Sequence, residues 1–474
     1  MTIATLQFTL ADQRAFARLS GDFNPLHLDP IASRRVAAGE PIVHGMHLLL
    51  RALDAHVRRG PAAKGWTISA GFRRPALPGD SIAVERTGGD RLALTIDAGA
   101  PLVDIAIQPA AADPGAESWP ASIGRVHQRA RRTPRVRPWA GMASAHGAIA
   151  FPGRREIRRA FPHAARTFGA DAVAAIAAVS RLIGMECPGR DALLSAVDLH
   201  ITGHAGAKHL TWRVARTDAR FGLVRVEIVS PCLRGTIDAF WRPQPAPLPG
   251  IEAVAAHVQP DEFAGQRALI VGGSRGLGAA TALLVAGGGG IPLVTFVSGA
   301  AEVAALRRDA RRSGRRIDTL RFDIVTDPIE RLARASARFG ATHLYYFATP
   351  RIFTRRREPF DTALFQRFAA FYVTGFANAC AAASTGSLDV FYPSSVALDE
   401  RSRDLIEYST AKAAGEALSA MLQAATPGLR ILVRRLPRVA TDQTASIVPV
   451  PAVNPVVAML PIVREMHRTR SPSE

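Results

Sequence analysis

The chain has 474 residues, 48 % of them hydrophobic, and a net charge of +19. That length exceeds what one core can bury and calls for two to four domains, and the mean hydropathy of +0.08 fits a globular, water-soluble chain. The charge excludes less than it suggests. All but three of the 59 basic residues are Arg, they are scattered, and aromatics make up 7 % of the chain, so the clustered charge and stacking platforms of a nucleic-acid binder are missing. What remains is attraction of anionic partners.

Cys187, Cys232 and Cys380 lie far apart, giving neither a disulfide framework nor metal-ligand spacing; a reducing cytoplasm and no metal are expected. The start, Met1-Thr-Ile-Ala-Thr-Leu-Gln7, has no basic stretch leading into an apolar one, so no signal peptide is expected. One uncharged run, 276–301, is long enough for a bilayer, but it holds four consecutive glycines (287–290) and Pro292. It reads as helix, turn and buried strand, and no membrane span is expected.

Taken in order, a strand over 6–10 leads to a helix starting at Asp12. The segment Ser20-Gly-Asp-Phe-Asn-Pro-Leu-His27 then forms a Pro-bent loop. Pro41-Ile-Val-His-Gly-Met46 opens an apolar helix to about Val57, and Phe72-Arg-Arg-Pro-Ala-Leu-Pro-Gly-Asp80 leads into alternating strands over 81–85, 92–97 and 102–107. Asp22 and His27, five apart, can put a carboxylate and an imidazole on one pocket, where the pair could hold a water, take a proton and return one. The Gly45 N–H, at a helix start, could polarise a carbonyl. The competing reading is a plain turn in which Asp22 and Asn24 bond backbone.

This block, residues 1–110, resembles the MaoC-like, (R)-specific enoyl-thioester hydratases and dehydratases. Asp22-x-Asn-Pro-x-His27, Val43-His-Gly-Met46 and Phe72-x-x-Pro-x-x-Pro-Gly-Asp80 carry the resemblance. It implies a hotdog fold, with Asp22 and His27 as the catalytic pair.

Residues 111–140, rich in Ala, Pro and Arg, read as a linker. A helix over 171–185 and strands over 193–201, 210–215, 223–230 and 235–241 then suggest a second hotdog, residues 141–245. It lacks the Asp-x-Asn-Pro-x-His signature, so it is expected to be non-catalytic, with His200 and His204 as sheet or loop residues. Residues 246–262, continuing from the stiff stretch Pro243-Gln-Pro-Ala-Pro-Leu-Pro-Gly250, read as another linker.

Residues 263–474 alternate strands and helices, the pattern of a doubly wound parallel sheet. Gly272, Gly276 and Gly278 sit between an apolar strand and an Ala/Leu-rich helix, where backbone N–H groups can approach a pyrophosphate. Ser395 lies thirteen residues before Tyr408-Ser-Thr-Ala-Lys412, and in a chain that nearly always writes Arg, a Lys there points to a need for an ammonium. With this spacing the segment resembles the short-chain dehydrogenases/reductases. The resemblance implies a Rossmann-like fold and a nicotinamide cofactor held by Gly272, Ser274, Arg275, Gly276, Leu277, Gly278, Ser298, Asp323, Ile324, Tyr408 and Lys412. It implies Tyr408 as proton donor to a ketone, Lys412 as the group that lowers the tyrosine pKa, and Ser395 as holder of the carbonyl oxygen. The strand expected over 292–297 ends at Ser298 without a carboxylate; with Arg275 nearby this favours NADPH, NADH being less favoured. The departures are Val271 for the family's Thr, Phe347-Ala-Thr349 for Asn-Ala-Gly, Tyr372 for the catalytic Asn, and Pro437-Arg438 for Pro-Gly.

Together the two resemblances imply a bifunctional enzyme. It would reduce a 3-ketoacyl thioester of coenzyme A or acyl carrier protein to the (R)-3-hydroxyacyl thioester and dehydrate it to the trans-2-enoyl thioester, as in fatty-acid or polyketide biosynthesis. A homo-oligomer is expected. Two alternatives stay open: a degradative hydratase with an NAD(P)-dependent 3-hydroxyacyl dehydrogenase, and a carrier-docking scaffold whose reductase site is degenerate.

Overall fold

The computed structural model describes the chain except for residues 31, 36–39, 58–64, 97–100, 111–130, 243–247, 353–359, 385, 442–450 and 469–474. It divides into two compact units, Met1–Gln244 and Pro245–Ala445 with the last segment of the chain.

The first unit is built on an antiparallel sheet of ten strands: β1 (Thr2–Gln7), β2 (Gly65–Phe72), β3 (Ser81–Gly88), β4 (Arg91–Thr95), β5 (Val103–Ala110), β6 (His146–Ala150), β7 (Leu193–Ile201), β8 (His209–Asp218), β9 (Leu223–Val229) and β10 (Leu233–Phe240). Their order is β1-β3-β4-β5-β2-β7-β10-β9-β8-β6. Read outward from the centre, the two halves run 2-5-4-3-1 and 7-10-9-8-6, the same topology twice, joined where β2 pairs with β7 from Trp66↔Ile201 to Gly71↔Ala196. Each half contributes a helix before its central strand, Gly45–His56 and Ala170–Arg181, and the two helices pack on each other. The second is buried on every side, which its Ala-rich sequence permits because small side chains let neighbours close in. Alternation explains the strands: Val103, Ile105 and Ile107 of β5 and Val224, Val226 and Ile228 of β9 all point into one core. This is a double hotdog.

Several sequence expectations shift. The first strand is Thr2–Gln7 rather than 6–10, and Leu10 already lies in a helix, Leu10–Ser20. The cause is a capping box: Asp12 N donates to Thr9 Oγ1 at 3.1 Å and Thr9 N donates to Asp12 Oδ2 at 2.8 Å. β2 and β6 are additional strands. The region 131–140, expected to be loose linker, is tied down; 111–130 lie outside the described residues. Arg135 Nε donates to the buried Glu186 carboxylate at 2.8 Å, Arg137 Nε donates to the Glu186 carbonyl at 2.6 Å, and Trp241 Nε1 donates to the Arg137 carbonyl at 2.9 Å.

In the second unit, six parallel strands, β11 (Arg267–Val271), β12 (Ile291–Phe296), β13 (Asp318–Arg321), β14 (His343–Tyr346), β15 (Leu388–Ser395) and β16 (Leu429–Leu436), lie in the order β13-β12-β11-β14-β15-β16. That is the 3-2-1-4-5-6 order of a doubly wound dinucleotide-binding sheet, with its switch point between β11 and β14. The expected linker 246–262 ends early, because Ile251–Ala255 is a helix whose Ile251 and Val254 are buried in this unit's core against the Gly276–Gly287 helix. An apolar pair three apart on a short helix needs a partner, and Gly287, where an added Cβ would lie 3.4 Å from Ala255 Cα, lets the two helices approach closely.

Candidate active sites

In the first unit, Asp22 and His27 do come together. Asn24 caps the short helix Pro25–Leu28, its Oδ1 accepting from Leu26 N at 3.2 Å, while its Nδ2 donates to the carbonyls of Gly184 (2.9 Å) and Gly189 (3.4 Å). The loop is thereby pinned to the end of the second half's helix. His27 Nδ1 donates to the Ile42 carbonyl at 2.9 Å, which leaves Nε2 free to accept, 3.9 Å from Asp22 Oδ2. That gap is too long for a direct hydrogen bond and short enough for a bridging water or hydroxyl.

Two residues absent from the sequence reading complete this geometry. Ser180 Oγ donates to Asp22 Oδ2 at 2.7 Å, and Gly184 leaves the space the carboxylate occupies, since a Cβ there would sit 2.3 Å from Asp22 Oδ1. His44, just before the Gly45–His56 helix, stacks on His27 with ring centroids 3.8 Å apart and reaches within 4.0 Å of Asp22 Oδ2. Asp22, His27 and His44 have ligand atoms within 4.8 Å of one another. The His27 and His44 ring planes are only 25° apart, so their in-plane lone pairs do not converge on one point. Gly45 begins its helix without a side-chain cap, so its N–H carries the positive end of the helix, and Leu194 and Phe72 crowd it too closely for a Cβ. Burial pushes the Asp22 carboxyl up, opposed by His27, the Ser180 hydroxyl and the Asn24 N–H; burial pushes His27 down, opposed by Asp22. His44 is held well below the ordinary histidine range by burial, with His27 adding to the effect. The pair therefore sits as carboxylate and neutral imidazole at pH above both the raised Asp22 pKa and the lowered His27 pKa.

In the second unit, the glycine loop follows β11. Gly272 has φ +85° and a Cβ there would meet Ala348 N at 2.7 Å, while a Cβ on Gly278 would meet Gly272 O at 2.6 Å. Gly276, φ +56°, opens a helix whose first N–H groups have no side-chain cap. Such a cradle, closed by backbone and opening on the uncapped N-terminus of a helix, fits a pyrophosphate. Arg275 is the extended residue before that helix, and Leu277 and Ser298 are half-buried at the same edge. A Cβ on Gly299 would lie 2.6 Å from Ser274 Oγ, so the loop and the end of β12 meet. Asp323 follows β13, where its Oδ1 accepts from Val325 N at 3.0 Å. The Ile324 side chain lies in the core, which leaves its backbone to meet a cofactor.

Ser395 ends β15, and Tyr408 and Lys412 share one face of the helix Ile406–Ala425. Ser395 lies close enough to the Tyr408 phenol to act on its ionisation. Burial pushes that phenol up, opposed by Ser395. The lysine is itself buried, its Nζ donates to the Pro393 carbonyl at 2.5 Å, and burial holds it down at about 7 against the pull of Glu416. Tyr372 stands where an Asn was expected: its hydroxyl is 2.5 Å from Thr349 Oγ1 and its ring lies under the Lys412 ammonium.

Comparison with known proteins bears on both units. Residues 2–92 match the family described as MaoC like domain. The (R)-specific enoyl-CoA hydratase of Aeromonas caviae is 41 % identical over 81 residues, 17 % of this chain and 60 % of the relative. The 3-hydroxyacyl-thioester dehydratase Y of Mycobacterium tuberculosis is 40 % identical over 79 residues, 16 % of this chain and 27 % of the relative. The peroxisomal hydratase-dehydrogenase-epimerase of Saccharomyces cerevisiae is 40 % identical over 80 residues, 16 % of this chain and 8 % of the relative. The chain thus spans 60 % or less of each of these relatives. Among solved structures, a short chain dehydrogenase of Pseudomonas syringae is similar at 18 % identity and TM-score 0.40, over 44 % of this chain and 92 % of that one. A 3-oxoacyl (acyl-carrier-protein) reductase of Agrobacterium tumefaciens with NADP bound is similar at 19 % identity and TM-score 0.38, over 43 % of this chain and 88 % of that one. The fold of the second unit rests on its own strand order. Among the described residues no helix is long and apolar enough to cross a membrane. Residues 2–92 of this chain are a MaoC-like domain.

Proposed function

We propose that the chain is a bifunctional acyl-thioester enzyme that reduces a 3-ketoacyl thioester with NADPH and dehydrates the (R)-3-hydroxyacyl product to the trans-2-enoyl thioester. The supporting observation is the co-occurrence of the Asp22–His27 pair, with its 3.9 Å gap, and, in the second unit, of Ser395, Tyr408 and Lys412 with a glycine cradle. Acyl carrier protein or coenzyme A as carrier, the biosynthetic direction, assembly into a homo-oligomer and a cytoplasmic location belong to the same reading.

In the dehydratase half, Asp22 Oδ2 and His27 Nε2 face one gap. One proton leaves C2 and one joins the departing C3 hydroxyl, and these two atoms serve both transfers. The uncapped Gly45 N–H is the donor available to a thioester oxygen whose charge grows as C2 is deprotonated. In the reductase half, Gly272, Ser274, Arg275, Gly276, Leu277 and Gly278 would hold NADPH, with Ser298, Asp323 and the Ile324 backbone toward its adenosine end. When bound, the cofactor supplies hydride. Ser395 orients the ketone oxygen, Tyr408 donates its phenolic proton to it, and the Lys412 ammonium stabilises the tyrosinate left behind.

The test separates the halves. Asp22→Asn should abolish enoyl-thioester hydration, by about 10²-fold or more, while ketoacyl reduction continues, and Tyr408→Phe should do the converse. If both variants retain wild-type turnover of both substrates, the reading fails.

A further inference from the structure

We infer that Tyr372 is the positioning residue for the Lys412 ammonium, enclosing it with an aromatic face where a smaller polar residue would admit water. The inference rests on the reductase reading of the second unit for its functional meaning, but its geometry stands apart from it.

Lys412 Nζ lies 4.0 Å from the centroid of the Tyr372 ring and 4.8 Å from that of Tyr392, and it donates to the Pro393 carbonyl. Both rings are well within the distance at which an ammonium is attracted to a π face, an attraction that grows as water is removed. The side chain is buried, and two aromatic faces and a carbonyl take up much of its surroundings.

Tyr372 itself is held on several sides. Its hydroxyl bonds Thr349, Phe368 stacks on its ring at 6° between planes, and Tyr408 meets it edge-on with centroids 5.6 Å apart. Its carbonyl accepts from the Tyr392 hydroxyl at 3.2 Å, which locks the second ring to the first. Gly415 is required by the same arrangement, since a Cβ there would lie 1.9 Å from the Tyr392 hydroxyl and 2.8 Å from the Tyr372 carbonyl. So many contacts around one ring fit a side chain whose face has a task better than one that merely fills space.

The titratable groups around Lys412 are Tyr408 and Glu416 on its own helix, Tyr372 on the 370–375 turn and Tyr392 on β15; Glu416 is itself paired with Arg435 of β16. Burial holds the lysine down at about 7, so its charge changes near neutral pH. Three substitutions then have different signs. Tyr372→Leu removes the face but keeps the site dry, so the ammonium is less favoured. Tyr372→Asn lets water in, so it is more favoured. Tyr372→Phe keeps the face.

The chain has only three lysines, Lys64, Lys208 and Lys412, so lysine-selective ¹³C labelling of the full chain gives a readable pH titration, with Lys412→Arg identifying the signal. The expected result is a Lys412 midpoint near 7 in the wild type. It should move down by about one pH unit in Tyr372→Leu, up in Tyr372→Asn, and little in Tyr372→Phe. An ordinary lysine midpoint in the wild type, or shifts of one sign in all three variants, would overturn the inference. Should Tyr372→Leu not fold, the wild type against Phe and Asn decides. NADPH-dependent reduction of a 3-ketoacyl thioester is measured on the same wild-type sample. Shifts without reduction sink the functional reading and leave this inference standing; reduction without shifts does the reverse.

Discussion

Gly184→Ala tests whether the second half of the double hotdog shapes the catalytic pair of the first. The new Cβ would sit 2.3 Å from Asp22 Oδ1 and 2.7 Å from both Cγ and Oδ2. Ordinary contact begins near 3.4 Å, so Asp22 must retreat by about 1 Å (3.4 less 2.3). Gly184 lies in the helical turn Leu182–Glu186 and is not among the glycines of positive φ, so alanine adds no backbone strain and the clash is the whole perturbation. A displacement of about 1 Å at a reacting group costs about 10²-fold in rate, and crowding a packed site costs about 1–3 kcal/mol of stability. Steady-state hydration of a short trans-2-enoyl-CoA, followed by loss of enoyl absorbance, should therefore show kcat/KM down about 100-fold, while a thermal melt shows a folded protein. A kcat/KM within about twofold of wild type in a folded variant would refute the reasoning, because it would mean that Asp22 does not act from its observed position.

Two further outcomes follow from the same geometry. Ser180→Ala removes a hydroxyl that lowers the Asp22 pKa, so that already raised pKa rises further. Since the carboxylate is present above its pKa and lost as pH falls through it, the acid limb of the hydration profile should move to higher pH, with about a 10-fold loss of rate at the optimum, measured as kcat/KM against pH. Gly278→Ala places a Cβ 2.6 Å from the Gly272 carbonyl, a backbone atom that cannot step aside cheaply; titration of NADPH by its fluorescence should show binding weakened at least about 10-fold, with enoyl hydration kept.

Asp22, His27 and the glycine loop were legible in the sequence because each is a local constellation: the spacing itself puts the groups on one loop or one helix start. Ser180 and Gly184 were not, because their partner is 158 or more residues away and they sit in a run that reads as a plain apolar helix. A signal was present, since a hydroxyl in a helix buried on every side must find a partner. The twofold topology was half legible: helix then sheet was visible twice, but β2, the strand that joins the halves, mixes Gly65, Ser69, Ala70 and Gly71 among its apolar residues and did not declare itself. Tyr372 was visible as a departure; that it faces Lys412 depends on the turn at 370–375, which spacing does not give.

In the proposed function one chain carries out two consecutive steps. The direct measurement is mass spectrometry of a short 3-ketoacyl thioester incubated with the intact protein and NADPH, beside an NADH control. Reduction followed by dehydration gives 3-hydroxyacyl thioester together with a product one oxygen lighter than the substrate, and the lighter product should disappear in Asp22→Asn. Unchanged substrate with both carriers, coenzyme A and acyl carrier protein, would contradict it.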